Sequence, residues 1–232
     1  MTTKNLVISA SATCVAELLT LPICTIKTNY QMVNSNSILD TTKKIYNMGG
    51  YRAFIKASFP AIFGQITSTS LKYTGFRYLD STHLVTGNKF MNGMIAGLCS
   101  TIFTHPLDVW KVHAQSGKSI LCSGSVSISI FYRGYTKTLS KIAVSSSLFF
   151  PLYDYSKQVF SNPILSSGVS AIISTIIIHP LDYLKTRHML GAKLYQGINP
   201  RVYYNGLTLS LMRIVPHFII TMSCIEYLHK TF

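Results

Sequence analysis

A proline followed at fixed offsets by an acid and a base recurs along the chain. Two copies are complete, and they consist of Pro106, Asp108, Lys111 and of Pro180, Asp182, Lys185. A third copy keeps Pro22 and Lys27 but has Cys24 at the position of the acid. Three copies in one chain indicate an internal repeat, which constrains the architecture more than any single segment does.

The spacing of the three prolines predicts the size of the repeat. Successive prolines are 84 and 74 residues apart, which is too long for a solenoid unit. It suits a pair of membrane helices of roughly 20 residues each, together with their connection. We therefore predict three tandem helix pairs, with repeat 1 at residues 1–85, repeat 2 at 86–160 and repeat 3 at 161–232.

The composition favours a membrane protein that attracts anions. Charged residues make up 12% of the chain, with 21 bases against 7 acids, whereas soluble proteins average about 25% charged residues. An excess of bases suits either a nucleic-acid binder or a membrane protein with an anion pathway. Because 48% of the residues are hydrophobic, we expect a lipid bilayer and no nucleic acid as partner.

Hydropathy alone leaves a soluble all-helical bundle as an open alternative, because charged and hydroxylated residues interrupt every candidate span. Such interruptions are expected where one helix face meets lipid and another meets a watery cavity. An enzyme is the least favoured class, since the sequence has no nucleophile–base–acid set, glycine-rich phosphate loop or metal-ligand spacing. We predict no cofactor and no metal, and we interpret His105 and His179 as local capping or packing residues.

Two further landmarks accompany the proline motif. An aromatic–base–small sequence follows it, as in Tyr132-Arg133-Gly134, and an aromatic–acid–x–x–base sequence is complete at Tyr153, Asp154 and Lys157. Together these features resemble the mitochondrial carrier family over almost the whole chain. The resemblance implies an all-α membrane protein with six transmembrane helices in three pseudo-threefold repeats. They would form a carrier barrel with short matrix helices, of which only the first, around Ile38–Met48, has room for full length.

The resemblance also implies an activity and a location. Such carriers are antiporters that exchange anionic metabolites by alternating access across the mitochondrial inner membrane. We therefore expect a multi-pass monomer in a bilayer that contains cardiolipin. Bases are concentrated in the connections inside the repeats, and this asymmetry predicts that those connections face the negatively charged compartment.

A gate on the matrix side is implied by the same resemblance, with Pro22, Pro106 and Pro180 as helix kinks. Its residues would be Lys27, Asp108, Lys111, Asp182 and Lys185, with Gln31 and Gln115 bracing the ion pairs from below. Asp108 would pair with Lys185, and Asp182 with Lys27. Lys111 would face Cys24 and lack a partner. The alternative is that these charges only hold the bundle together.

An outer gate is implied at the opposite end of the barrel. Its residues would be Arg77, Asp80, Asp154, Lys157 and Glu226. Of these, only Lys157 and Glu226 are expected to form an ion pair. The other facing positions, such as Asp80 and Asp154, do not combine an acid with a base.

The substrate contacts implied by the resemblance lie on the even-numbered helices at Gly64, Gln65, Lys141, Ile142 and Arg213. The residues themselves give independent support, because Lys141 and Arg213 are bases within otherwise apolar or hydroxylated spans. An anionic substrate is their simplest counter-ion, although either base could instead extend to a membrane interface. Arginine can hold phosphate or carboxylate through two hydrogen bonds, whereas lysine acts as a point charge.

A nucleotide such as ATP, ADP, dATP or dTTP is the substrate that we predict. Gly64 beside Gln65 leaves room for a bulky group, and the short loops resemble those of a compact carrier encoded by a giant DNA virus. Nucleotide carriers often have glycine where this chain has Lys141, so adenine specificity stays open. Phosphate, a carboxylate or a cofactor is an alternative cargo, and a non-transporting membrane receptor or scaffold is an alternative function.

Overall fold

The computed structural model describes residues 3–33, 37–82, 89–117, 128–160, 163–194, 197, 199–214, 216–217 and 220. The helices in chain order are α1 (Thr3–Val33), α2 (Ile38–Ile55), α3 (Ser58–Thr82), α4 (Lys89–Gln115), α5 (Ile128–Phe131), α6 (Tyr135–Val159), α7 (Pro163–Met189), α8 (Pro200–Tyr203) and α9 (207–214). No strand occurs in these parts of the chain. This confirms the all-α prediction there, while the six-span barrel remains a prediction.

Three long helices, α1, α4 and α7, contact one another in every pairwise combination. Each carries one motif proline in its interior, Pro22, Pro106 or Pro180, and remains helical on both sides of it. An interior proline removes one backbone hydrogen bond and commonly bends a helix, so the kinks remain a prediction. Helix α3 packs mainly on α4, and α6 packs mainly on α7.

Helix α2 fills the connection of repeat 1. It begins at Ile38, and its helical dihedral angles are interrupted at Gly49 and Gly50, where Gly50 has a φ of 58°. Its first part therefore covers the range predicted for a full-length connecting helix. The corresponding connections of repeats 2 and 3 contain only the four-residue helices α5 and α8 within their described residues.

Equivalent hydrogen bonds hold the turns that precede α6 and α9. His105 Nε2 donates to the carbonyl of Arg133, and His179 Nε2 donates to the carbonyl of Asn205, both at 3.2 Å. Both imidazole rings are fully buried. Each histidine lies directly before a motif proline, so the bond joins the motif helix to the turn that precedes α6 or α9. Both histidines therefore act as capping and packing residues, but they join segments 28 and 26 residues apart rather than acting locally.

The turn before α6 depends on a glycine. Gly134 has a φ of 82°, a left-handed conformation that side-chain-bearing residues rarely adopt. A Cβ atom at this position would also lie 3.4 Å from the backbone nitrogen of Met189. The turn therefore packs closely against the C-terminal end of α7.

Side chains from neighbouring helices cap the C-terminal ends of α1 and α4. Arg187 Nη1 donates to the carbonyls of Gln31 at 2.9 Å and Met32 at 3.3 Å. Asn29 Nδ2 donates to the carbonyl of Gln115 at 2.8 Å. The last carbonyls of a helix have no partner within that helix, so these bonds satisfy them. They also tie α1 to α7 and to α4, which closes this end of the bundle.

The distribution of polar and apolar residues is the reverse of that in a soluble protein. Among the described residues, buried polar and charged side chains outnumber buried apolar ones, while large apolar side chains such as Leu19, Phe59 and Phe103 are exposed. Exposed apolar surface of this extent indicates a nonaqueous environment or a partner. One described segment, Ala10–Val33, is long and apolar enough to cross a membrane by length and composition.

Candidate substrate cavity

Two adjoining cavities lie between the helices, with volumes of about 330 Å³ and 260 Å³. They share four lining residues, Lys27, Lys141, Asp182 and Arg213. The larger cavity extends toward hydroxyl-bearing faces of α7 and α9, and the smaller extends toward α1 and α4. We refer to the two together as the central chamber.

The acids and bases of the proline motifs meet in the central chamber. Lys27 forms an ion pair with Asp182, and Lys185 Nζ lies 3.0 Å from Asp108 Oδ2. Both pairs join a motif helix to the next one around the bundle. The second carboxylate oxygen of Asp182 accepts a hydrogen bond from Lys141, so a single acid holds one motif base and one predicted substrate base.

Lys111 has a partner that the sequence interpretation missed. Its ammonium group forms an ion pair with Glu17 Oε1, and Arg213 Nη2 lies 2.9 Å from Glu17 Oε2. The expectation that Lys111 lacks a partner because Cys24 replaces the motif acid is therefore wrong. Glu17 precedes Cys24 by seven residues, which is about two helical turns and places both on the same face of α1.

A signal for Glu17 was present in the sequence. It is an acid within an otherwise apolar and hydroxylated helix, a setting where ionisable residues are rare and functional. Glu17 lies before Pro22, so the motif that begins at the proline does not include it. In the structure its side chain is 2% exposed, so a counter-ion was required.

The central chamber carries an excess of positive charge. Its charged lining residues are the bases Lys27, Lys111, Lys141, Lys185 and Arg213 and the acids Glu17, Asp108 and Asp182. With histidine counted as neutral, five bases against three acids leave a net charge of +2. An anion that enters the chamber would therefore be attracted by an electrostatic field that the protein's own carboxylates do not cancel.

The predicted substrate contacts divide into two groups. Gln65, Lys141 and Arg213 line the central chamber, and the two bases bind carboxylates there rather than extending to a membrane interface. Gly64 and Ile142 are not among its lining residues. A Cβ atom at Gly64 would lie 3.6 Å from Leu107 Cβ, so this glycine faces helix α4.

The two glutamines expected to brace the ion pairs have other partners. Gln31 Nε2 donates to the carbonyl of Asn205 at 3.4 Å, and Gln115 Oε1 accepts from Thr28 Oγ1 at 2.8 Å. Both glutamines are buried and line the smaller cavity. They therefore connect α1 to the turn before α9 and to the end of α4, within the same cavity as the ion pairs.

The outer gate lies largely outside the described part of the chain. Arg77 is exposed on α3. The side chains of Asp80, Asp154 and Lys157, and the whole of Glu226, are outside the described residues. The outer network therefore remains a prediction from the resemblance.

Comparison with known proteins identifies the family. The family model described as mitochondrial carrier protein matches residues 1–87 and 82–164. Mitochondrial carrier-like protein L276 of Acanthamoeba polyphaga mimivirus is 49% identical over 96% of this chain and 94% of its own. The succinate/fumarate mitochondrial transporter of Saccharomyces cerevisiae is 22% identical over 90% and 85% of the two chains.

A third relative is the mitochondrial thiamine pyrophosphate carrier 1 of Ajellomyces capsulatus, 23% identical over 82% of this chain and 73% of its own. Members of the family are transporters of small anionic solutes in the mitochondrial inner membrane, and they are not enzymes. The family model covers residues in all but the last third of the chain, and the viral relative covers nearly its whole length. The chain therefore belongs to the mitochondrial carrier protein family.

Proposed function

We propose that this protein is an antiporter that crosses the mitochondrial inner membrane six times and exchanges small anions by alternating access. Each of the regions 1–85, 86–160 and 161–232 contributes two spans to a pseudo-threefold barrel. The observation that carries the proposal is the net charge of +2 in the central chamber, with Lys141 and Arg213 within it. Bases held inside a membrane-spanning bundle would bind the anions that pass through it.

The distribution of side chains supports a membrane setting. Large apolar residues are exposed and polar residues are buried among the described residues. In lipid, apolar residues face outward, and ionisable residues face the bundle interior or a water-filled cavity. The apolar segment Ala10–Val33 supplies one span by composition.

The proline-motif charges would form the gate at the matrix end. The two inter-repeat pairs, Lys27–Asp182 and Lys185–Asp108, lie at the end of the bundle that the helix caps close. A gate has to open in every transport cycle, which requires ion pairs that are not held too strongly. An ion pair in contact with water loses less free energy when the gate opens than a pair shielded from water. Both pairs line the chamber.

Nucleotides are the cargo that we propose first. Arg213 can hold a phosphate group through two parallel hydrogen bonds, while Lys141 adds a point charge. The larger cavity continues past these bases toward Ala171 and Ile178, which offers apolar surface to a base ring. The viral relative spans nearly the whole chain, so the compact architecture is shared.

A small dianion is the second candidate, because two negative charges would neutralise the central chamber. The yeast relative is named for succinate and fumarate, which are such dianions, and the fungal relative is named for thiamine pyrophosphate. A nucleoside triphosphate carries more negative charge than the net charge of +2 in the chamber can neutralise. The number of charges on the substrate therefore separates the two candidates experimentally.

The proposal is tested by counter-exchange in liposomes that contain the purified full-length protein. The liposomes are preloaded with one unlabelled anion and offered labelled ATP, dATP, dTTP, phosphate or succinate. Exchange confined to nucleotides supports the first candidate, and exchange confined to succinate and phosphate supports the second. A folded preparation that exchanges no anion would overturn the antiporter proposal and favour a non-transporting receptor or scaffold.

A further inference from the structure

Glu17 joins two functions that the family motif assigns to different residues. One carboxylate oxygen binds Lys111, a base of the proline motif, and the other binds Arg213, a predicted substrate base. The side chain is 2% exposed and comes from α1, whereas its partners come from α4 and α9. A change at one partner must therefore alter the bond to the other.

We propose that Glu17 is an internal anion that the transported anion must displace from Arg213. In the absence of substrate, the Glu17 carboxylate is bound to the guanidinium group of Arg213. A phosphate or carboxylate of the substrate would bind this same group. The proposal rests on the proposed function of Arg213 as a substrate contact. Glu17 thereby sets the affinity for anions and determines how many negative charges the chamber accepts.

Displacement also links substrate binding to the gate. Once a substrate anion holds Arg213, Glu17 keeps only Lys111 as a partner, and the direct ion pair between α1 and α9 is broken. The chamber with bound dianion is electrically neutral, whereas without substrate it has a net charge of +2. Substrate occupancy therefore changes the contacts of a motif base that the substrate itself does not need to touch.

Two substitutions that break the same ion pair should change anion affinity in opposite directions. Glu17→Gln leaves Arg213 without a competing carboxylate, so we expect the Kd for an anion to fall about tenfold, the scale of one hydrogen bond to a charged group. Lys111→Gln leaves Arg213 as the remaining ion-pair partner of Glu17 and so strengthens the bond that the substrate must displace. We therefore expect the Kd for an anion to rise. A purely structural role of the pair would move both values in the same direction.

A third substitution separates competition at Arg213 from a general change in charge. Asp108→Asn also removes one negative charge from the chamber, but Asp108 binds Lys185 and leaves the Glu17–Arg213 bond in place. We expect it to lower the Kd by about threefold or less, well short of the effect of Glu17→Gln. Asp40→Asn, at an exposed position of α2, controls for a charge change outside the chamber.

The measurement is the Kd of the purified full-length protein in detergent, read from thermal stabilisation by ATP and, separately, by succinate. Opposite shifts for Glu17→Gln and Lys111→Gln, with a smaller shift for Asp108→Asn, support the inference. Equal Kd values for Glu17→Gln and Asp108→Asn overturn it while leaving the proposed function intact. If Glu17→Gln does not fold, a lowered or unchanged Kd in Lys111→Gln overturns it. A wild-type protein that binds neither probe and exchanges no anion overturns both.

Discussion

Asp182→Asn should destabilise the closed end of the bundle. Asp182 binds Lys27 through one carboxylate oxygen and Lys141 through the other. The side chains of the three residues are only 16%, 14% and 32% exposed. The neutral amide would therefore leave two largely buried bases near each other without a shared counter-ion.

The expected loss of stability is substantial. Removing one partner of a fully buried ion pair costs about 3–5 kcal/mol, and a single hydrogen bond to a charged group contributes about 1.5–3 kcal/mol. Because Lys141 is a third exposed, water offsets part of the loss, and we expect about 3 kcal/mol. At about 2–4 °C per kcal/mol for a chain of this size, the Tm should fall by about 6–12 °C.

The assay is thermal denaturation of the purified protein in detergent, with Asp40→Asn as the matched control. Asp40 is exposed on α2, so its amide variant makes the same change in charge outside the chamber. Adding Lys141→Gln to Asp182→Asn should recover part of the loss, because one unpartnered base is then removed. A Tm for Asp182→Asn that equals the Tm of Asp40→Asn would refute the reasoning.

Three further predictions concern the site and the fold. Arg213→Lys should slow anion exchange in liposomes by about tenfold or more, because lysine cannot reproduce a planar two-bond contact; unchanged rates would remove Arg213 from the substrate site. Exchanging the charges in Asp108→Lys with Lys185→Asp should recover part of the Tm lost in the two single variants, since the pair is re-formed with reversed polarity; a double variant as unstable as the sum of both would exclude this pair. Gly134→Ala should lower stability by about 1 kcal/mol or more because of its positive φ, whereas Gly97→Ala, which meets no atom within 4 Å, should not, and equal Tm values for the two would contradict this.

The helical class and the positions of the motif charges could be predicted from the sequence because they follow a repeat. A proline and a base at fixed offsets on three helices, with an acid between them on two of these helices, are expected to place their side chains at one level of the bundle. The contacts Lys27–Asp182 and Lys185–Asp108 are formed by those residues in the structure. The prediction needed only the register of each helix, which the proline marks.

The contacts of Glu17, Gly64 and the two glutamines could not be predicted in this way. Glu17 lies outside the motif and reaches two other helices, so its role depends on how three helices pack. Whether Gly64 faces the chamber or α4 depends on the rotation of α3 about its own axis, which spacing along one helix does not determine. Gln31 binds the carbonyl of Asn205 and Gln115 accepts from the hydroxyl of Thr28, so their partners also depend on how neighbouring helices pack.

The central claim is that the bases of the chamber bind an anion that is exchanged across the membrane. Uptake of labelled ATP into liposomes containing the full-length protein, preloaded in turn with ATP, succinate or no anion, tests it most directly. We predict uptake that requires an internal anion and that falls at least about tenfold in Arg213→Lys. Uptake that is absent with every internal anion, for ATP and for the other labelled anions of the panel, from a preparation that is folded by its thermal transition, would contradict it.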